Sequence, residues 1–437
     1  MQTSLPPGPR WPALVQTVQY ATSTREHLLA LHARHGDFFT IHALNGPVAL
    51  GCTPALAKEI FTADPDHYRA FAVDATTSIL GSRSVLVTHG AEHRRQRKLI
   101  VPPFHGARMR AYGEAMRGAA LERAATWTKR SELRLHDEAM EISLDVILRT
   151  VFGASSGPDA DEARATVQSL LHAFDPILLF TPRTHHPLVP SWRRFLRVRA
   201  AFDAFVTRCI ERRREAGEGT DIVSMLLAAR TEDGAGLEDG EIGDHLLALL
   251  VAGQETTAIA ISWMIYLVFK HPEVLAKVRA ELDTAPDGEP ETTAKLPYLS
   301  AVWDETLRLE PILSDVIRTV ATPLRIGDHL LPVGSNVGVA IDVIHRDPTL
   351  YPEPERFRPE RFLERRMNAF EHLPFGGGHR RCIGAAFAEY EGKLVFASLV
   401  SRFDFELRSV EHRSRRNVTL APAHGVRVAV RPRARPS

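Results

Sequence analysis

Cysteine is scarce in this chain: three residues in 437, at positions 52, 209 and 382. That is too few for a disulfide scaffold, and it fits a reducing compartment. Net charge is nearly absent too, because 54 Lys and Arg stand against 53 Asp and Glu, leaving +1. The aromatic residues, 7% of the chain, are not interleaved with the basic runs. Together these exclude the basic, aromatic-laced surface of a nucleic-acid binder. The N-terminus opens on Leu5-Pro6-Pro7-Gly8-Pro9, and its early apolar runs are too short to span a bilayer or serve as a secretory signal. We therefore expect no membrane anchor and a cytoplasmic location. Repeats and interdomain linkers are also missing; the breaks at 233–236 and 283–291 are short loops between helical stretches. One domain over 1–437 is expected, with 1–10 and the basic tail 431–437 flexible.

What is present is mostly helix. Apolar periodicity predicts helices over 27–35, 54–63, 91–98, 107–128, 137–152, 159–173, 192–215, 220–230, 239–270, 272–283, 298–309 and 383–401. Strand-like segments cluster at 38–52 and 316–339, with a tail at 403–430. The fold class is α+β, predominantly helical.

The chemistry concentrates in ten residues, Phe375-Gly376-Gly377-Gly378-His379-Arg380-Arg381-Cys382-Ile383-Gly384. Glycines at 378 and 384 allow the backbone to pass close under a flat macrocycle where any Cβ would collide. The helix predicted just downstream places Cys382 near a helix N-terminus, whose dipole and free N–H groups favour an anionic sulfur. Phe375 is positioned to shield that sulfur from water, and Arg380 carries a fixed charge suited to a carboxylate. This is the setting of a haem-iron thiolate, where sulfur pushes electron density onto iron and favours O–O cleavage. A lone cysteine among glycines is ordinarily a buried, inert thiol. The aromatic, glycines and arginine gathered round it in the same ten residues weigh against that. Zinc fits worse still, since no second cysteine or histidine stands at C-x2-C or H-x3-H spacing near Cys382.

The segment resembles the haem loop of the cytochrome P450 family, F-x-x-G-x-R-x-C-x-G, matched at Phe375, Gly378, Arg380, Cys382 and Gly384. Three further stretches fit the same resemblance in the family's order. Ala252-Gly253-Gln254-Glu255-Thr256-Thr257, inside the helix predicted over 239–270, is similar to the family's oxygen-activation motif. The resemblance implies that Ala252 and Gly253 leave room for dioxygen beside the haem and that Thr256 steadies the activated oxygen and an ordered water. Glu255, where many relatives carry Asp, then belongs to the relay that brings protons from solvent. Glu305-Thr306-Leu307-Arg308 and Phe357-Arg358-Pro359-Glu360-Arg361-Phe362 resemble the family's E-x-x-R and P-E-R-F segments, implying a structural network of Glu305, Arg308 and Arg361. His93 and Arg97, one turn apart, and Arg318, seven residues after Pro311, stand where relatives bind the haem propionates. Their neighbours Arg94, Arg95 and Lys98 are expected to face outward.

By the same resemblance the fold is that of a P450, a large helical part and a smaller β-rich part, with haem b between the long central helix and the cysteine-loop helix. The implied activity is monooxygenation: two electrons and two protons split O2, and hydroxyl is delivered to substrate carbon. The stretch after Cys382 is too short for a fused reductase, so electrons are expected from a separate ferredoxin or flavodoxin with its reductase. Arg94, Arg95, Lys98 and Arg381 would form the positive surface that attracts such a donor. Family position assigns the substrate pocket to Phe71, Val73, Ile79, Val85 and Leu86, to the segment 174–180 with Phe174 and Leu178, and to Ala252, Ile312, Leu313, Val316 and Leu420. Mostly apolar walls imply an apolar guest, of the terpenoid, steroid or fatty-acid class. Asp315 either orients a polar group of that guest or caps a turn. A monomer is expected. Three other readings are weaker. The intact Glu255-Thr256 pair argues against a peroxygenase, the haem loop lacks the insertion of a haem isomerase, and no signalling domain accompanies a non-catalytic haem protein.

Overall fold

The computed structural model describes residues 4–127, 130–154, 156–174, 184–217, 219–285 and 289–433. The helices that position the site are α1 Ala13–Thr22, α2 Pro54–Thr62, α3 Gly90–Ile100, α4 Leu135–Val151, α5 Asp239–Lys270, α6 Pro297–Leu309 and α7 Ala385–Val400. Helix α5, 32 residues long, starts with a capping box in which the side chains of Glu238 and Glu241 each accept the other's backbone N–H. Ile242, Leu246, Leu250, Ile261, Ile265 and Val268 are buried along it, so it is apolar nearly all round, as a central core helix must be. Each such side chain contributes about 1.5 to 3 kcal/mol by leaving water. Among the described residues α5 is the one helix long and apolar enough to cross a membrane, and most of it is buried inside the protein. It packs on α4 and α7. Where α7 meets α6, a Cβ on Gly392 would come within 2.0 Å of the Trp303 ring, so glycine there permits the close approach.

Strands β1 Phe38–Ala43, β2 Gly46–Gly51, β3 Tyr68–Ala70, β4 Val316–Val320 and β5 Asn336–Val339 form one sheet in the order β1-β2-β5-β4-β3. All pairings are antiparallel except β2 with β5. The two strand clusters expected far apart in sequence therefore belong to one sheet. A separate hairpin, β6 Arg413–Arg416 and β7 Thr419–Pro422, lies against α5. Leu133–Arg134, Phe403–Leu407 and Arg427–Pro432 make a third sheet.

Among the helices not expected from the sequence are two in its N-terminal part. Helix α1 is inside out: Leu14, Val15 and Val18 are exposed, and its one buried residue is Gln16. The Gln16 amide donates to the carbonyls of Pro9 (3.3 Å) and Trp11 (2.7 Å) and accepts from the His42 backbone N–H (2.9 Å). The helix Val73–Leu80 follows Ala72, which has φ 50 and offers no side-chain cap. The termini also differ from expectation. Residues 4–10 are docked rather than loose, since Ser4 N–H donates to Leu330 and Thr40 N–H to Pro7, and Pro6 and Pro9 are buried. At the other end Arg431 and Pro432 continue a strand, and Arg433 pairs with Asp283 at 2.7 Å. Backbone pairing with distant strands holds both ends, which composition does not reveal.

Candidate active site

Cys382 sits on the wall of a cavity of about 410 Å3. Protein crowds its sulfur on most sides, yet the residue is open on the cavity side. Helix α7 begins at Ala385 with Gly384 as its N-cap, so Cys382 stops short of the helix end. Burial pushes the thiol upward, against the pull of the Gly384 N–H, Arg381 and Arg97. Ionisation has to accompany ligation, because a coordinating metal deprotonates a thiol outright.

The loop glycines stand in different surroundings. Gly378 has φ +67, and a Cβ there would come within 2.0 Å of the Phe61 carbonyl oxygen on α2. Its conformation and its contact with α2, not room for a macrocycle, demand glycine. Gly384 differs: a Cβ there would meet nothing within 4 Å, so no protein atom demands glycine at this position. Phe375 is half-buried, its carbonyl accepts from Cys382 N–H (3.1 Å), and the Arg381 guanidinium lies 5.9 Å from its ring centre.

The opposite wall is α5. Ala252, Gly253 and Thr256 line the cavity, and the Thr256 hydroxyl donates to the Ala252 carbonyl at 2.6 Å. Gln254 ties the helix to α4 by donating to the Met140 carbonyl at 3.1 Å. Glu255 is not on the cavity wall. Its carboxylate faces hairpin β6–β7, where Thr419 Oγ1 lies 3.5 Å away. Burial raises its pKa, opposed by Arg416 and the Thr419 contact.

One end of the cavity is basic. His93, Arg97, Arg318 and Arg380 all line it. The Arg97 guanidinium donates to the Arg381 carbonyl (2.6 Å), Arg318 to those of Gly377 (3.1 Å) and Ile60 (3.4 Å), and Arg380 to that of Thr88. Arg318 Nε is buried with no partner. Among the described residues no carboxylate lies within ion-pair distance of these four. Burial and then Arg97 lower Arg380 to about 10; burial, with Arg380 adding repulsion, lowers Arg318 to about 10; burial, followed by Arg380, drives His93 down to about 3. Buried cations without counter-charge are costly and call for an anion from outside the chain. A flat macrocycle with two carboxylates fits: a thiol on one wall, small residues on the other, cations at the end. The residues present are therefore those that would hold a haem.

Below this lies the buried network of Glu305, Arg308 and Arg361. Arg308 makes a two-pronged contact with Glu305 (2.7 and 2.9 Å), and Arg361 Nε donates to Glu305 at 3.1 Å. The remaining guanidinium donors reach backbone carbonyls, among them His345 and Pro354 for Arg308 and Pro352 for Arg361.

The outward basic group is not free. Arg94 pairs with Asp66 (3.2 Å) and Lys98 approaches Glu232 (3.9 Å). Arg95 turns inward to Glu92 and the buried Glu241, contrary to expectation, because the capping glutamate of α5 recruits it. Arg381 is exposed and has no carboxylate partner among the described residues.

Phe71, Val85, Leu86, Ala252 and Val316 line the cavity with Thr76 and Leu80 of the same 68–87 stretch, joined by Phe104, Ile147, Ala248 and Leu249, which sequence reasoning missed. Phe174, Ile312, Leu313 and Leu420 are not on its wall. Phe174 packs edge-on against Phe195 at 5.6 Å, and Leu420 faces a second, ion-paired cavity of about 550 Å3 beside the C-terminal end of α5. Leu178 lies outside the described residues. Asp315 does not face the cavity: it accepts from the Tyr20 hydroxyl (2.5 Å) and Ser314 (2.6 Å), which fixes α1 to the start of β4. One further acid was missed. Glu391 on α7 lines the cavity, and burial raises it to about 8, so it is held neutral.

Comparisons with known proteins agree with this geometry. The family model described as Cytochrome P450 matches residues 5–426. The Mycobacterium tuberculosis protein named cytochrome P450 135A1 is 32% identical, over 100% of this chain and 97% of its own length. Cytochrome P450 138 of Mycobacterium bovis is 33% identical, over 98% of this chain and 97% of its own. A solved structure described as retinoic acid bound cyanobacterial CYP120A1 superposes with a TM-score of 0.86 at 26% identity, covering 99% of this chain and 100% of that one.

Proposed function

Because this chain belongs to the cytochrome P450 family, a family of haem-thiolate monooxygenases, we propose that it oxygenates an apolar small molecule of the terpenoid, steroid or fatty-acid class. Electrons come from a separate ferredoxin or flavodoxin with its reductase, and the enzyme works as a cytoplasmic monomer folded as one domain over 1–437. The observation that carries the substrate reading is the cavity wall, where Phe71, Leu80, Val85, Leu86, Ile147 and Val316 surround the space between Cys382 and Thr256. The similar structure described with bound retinoic acid is in keeping with such a guest.

Haem b bound in the cavity through an axial cysteine thiolate supplies dioxygen activation and insertion of one oxygen atom into the substrate. In this reading the axial sulfur is Cys382, and His93, Arg97, Arg318 and Arg380 hold the propionates. Thr256 Oγ1, now bonded to the Ala252 carbonyl, rotates to offer its hydrogen into the cavity. Glu255 takes up protons behind the helix as the acid of the relay. The apolar wall keeps stray water out, and exposed Arg381 is the remaining docking cation for an acidic electron donor.

The test is spectroscopic. The reduced, carbon monoxide-treated protein should give the red-shifted band of sulfur ligation, and Cys382→Ser should abolish it; a band that survives would remove Cys382 as ligand. A ligand screen followed at the Soret band should find its strongest shifts among terpenoids, steroids and fatty acids. In Thr256→Ala, haem should stay bound while NADPH consumed per product rises several-fold.

A further inference from the structure

The acid of the oxygen-activation pair and the alcohol beside it look in different directions. Consecutive helical residues point roughly 100° apart, since an α-helix has about 3.6 residues per turn. Thr256 therefore lines the cavity while Glu255 faces β6–β7. On that hairpin Thr419 stands opposite Arg416 in the register. The Thr419 hydroxyl lies 2.7 Å from the Arg416 carbonyl and 3.5 Å from Glu255 Oε2, yet it has a single hydrogen. Two arrangements follow. When Glu255 is ionised, the hydroxyl serves it best by donating to it; when Glu255 is protonated, the hydroxyl donates to the Arg416 carbonyl and accepts from the acid. Arg416 has no carboxylate within 4.0 Å among the described residues, and its charge acts on Glu255. The groups that act on Glu255 are Arg416 and Thr419, and Arg416 also acts on the buried His136 of α4. Between them the hairpin turns through Asn417, at φ 54, to Val418, which is exposed, so the turn reaches solvent. The Leu420 N–H bond to the Ile312 carbonyl (2.9 Å) anchors the hairpin to the chain before β4.

We propose that hairpin β6–β7 is the outer stage of the proton relay: the Thr419 hydroxyl hands protons from solvent to Glu255, and Arg416, opposite Thr419 in the register, supplies the nearby positive charge that favours a carboxylate there to receive them. This rests on Glu255 being the relay acid. In the transfer the Thr419 O–H bond breaks and a Glu255 O–H bond forms while the buried Thr419 oxygen takes a proton from water entering beside the exposed turn at Val418. Proton and charge thus move inward together, and the threonine is unchanged.

The test uses the haem-loaded enzyme without substrate, following NADPH oxidation through a surrogate ferredoxin and its reductase in H2O and D2O. Infrared titration of the Glu255 carboxyl band, assigned by its loss in Glu255→Gln, accompanies it. Thr419→Val and Arg416→Gln should each slow oxidation several-fold and enlarge the solvent isotope effect. Thr419→Ser and Arg416→Lys, which keep hydroxyl and charge, should remain as wild type. Arg416→Gln should also move the Glu255 midpoint up by about one unit. If Glu255→Gln slows oxidation but Thr419→Val and Arg416→Gln match wild type in rate, isotope effect and midpoint, the hairpin stage is wrong. If Glu255→Gln itself changes nothing, the relay reading beneath it fails first. The two substitutions act on different residues, so either alone decides.

Discussion

Two clusters of arginine, one around Glu305 and one at the cavity end, differ in where their negative charge comes from. Arg308 and Arg361 share Glu305, which is itself fully buried and also accepts from the Arg358 backbone N–H at 2.8 Å. Arg318 and Arg380 have carbonyls and, for Arg318, the rings of Phe61 and Tyr68, but no carboxylate among the described residues, and burial depresses both to about 10. The first cluster is complete within the chain and holds the fold together. The second is incomplete without an external anion, and an incomplete buried charge marks a binding site. What separates a structural arginine from a ligand-binding one here is its counter-ion, not its burial.

The contrast can be broken from either side. The largest effect should come from Glu305→Gln, which leaves two buried guanidinium groups without their carboxylate. Breaking a buried pair this way costs about 3 to 5 kcal/mol, so chemical denaturation of the haem-free protein should show a loss of that size. A loss below about 1 kcal/mol would place Glu305 among ordinary surface pairs.

Arg318→Met should behave in the opposite sense. It removes a cation that has no partner in the chain, so the haem-free protein should be no less stable than wild type, while haem dissociates about tenfold to a hundredfold faster, the equivalent of a charged hydrogen bond worth about 1.5 to 3 kcal/mol. A variant destabilised without haem but unchanged in haem retention would erase the distinction between the clusters.

The smallest effect concerns His93, which is buried and held neutral with a pKa of about 3 in the haem-free protein. Its folded value lies below the unfolded one, so the unfolded state binds the extra proton. The associated stability is fully present above about pH 6.5 and is lost as pH falls toward 3, at about 1.4 kcal/mol per unit. Haem carboxylates beside His93 should shallow that loss. Denaturation between pH 7 and 5 should therefore show a steeper acid slope without haem than with it, and His93→Gln should remove most of the difference.

The sequence was legible where function depends on spacing along the chain. Glu305 and Arg308 lie three apart on one helix, and the residues from Phe375 to Gly384 form one loop, so their roles follow from local geometry. It was illegible where polarity ran against the usual rule. Helix α1 buries Gln16 and turns its apolar stripe, Leu14 and Val18 at i and i+4, to the outside, so which face is core is the reverse of what spacing suggests. Family position also misplaced Ile312, Leu313, Phe174 and Leu420, because side-chain direction at a strand end or a hairpin turns on packing, which spacing does not fix.

By itself, the sequence determined the chemistry: a cysteine, an acid and alcohol pair, and a set of basic residues in an order that belongs to one family. Tertiary structure alone decided how those groups are satisfied. It set Gly378 against the Phe61 carbonyl, drew Arg95 inward to Glu241, left Arg318 without a carboxylate and turned Glu255 toward a hairpin 164 residues further on. The reason is physical: which residue a side chain can be is written locally, but desolvation and pairing, which fix its charge and its task, depend on neighbours brought together only by folding.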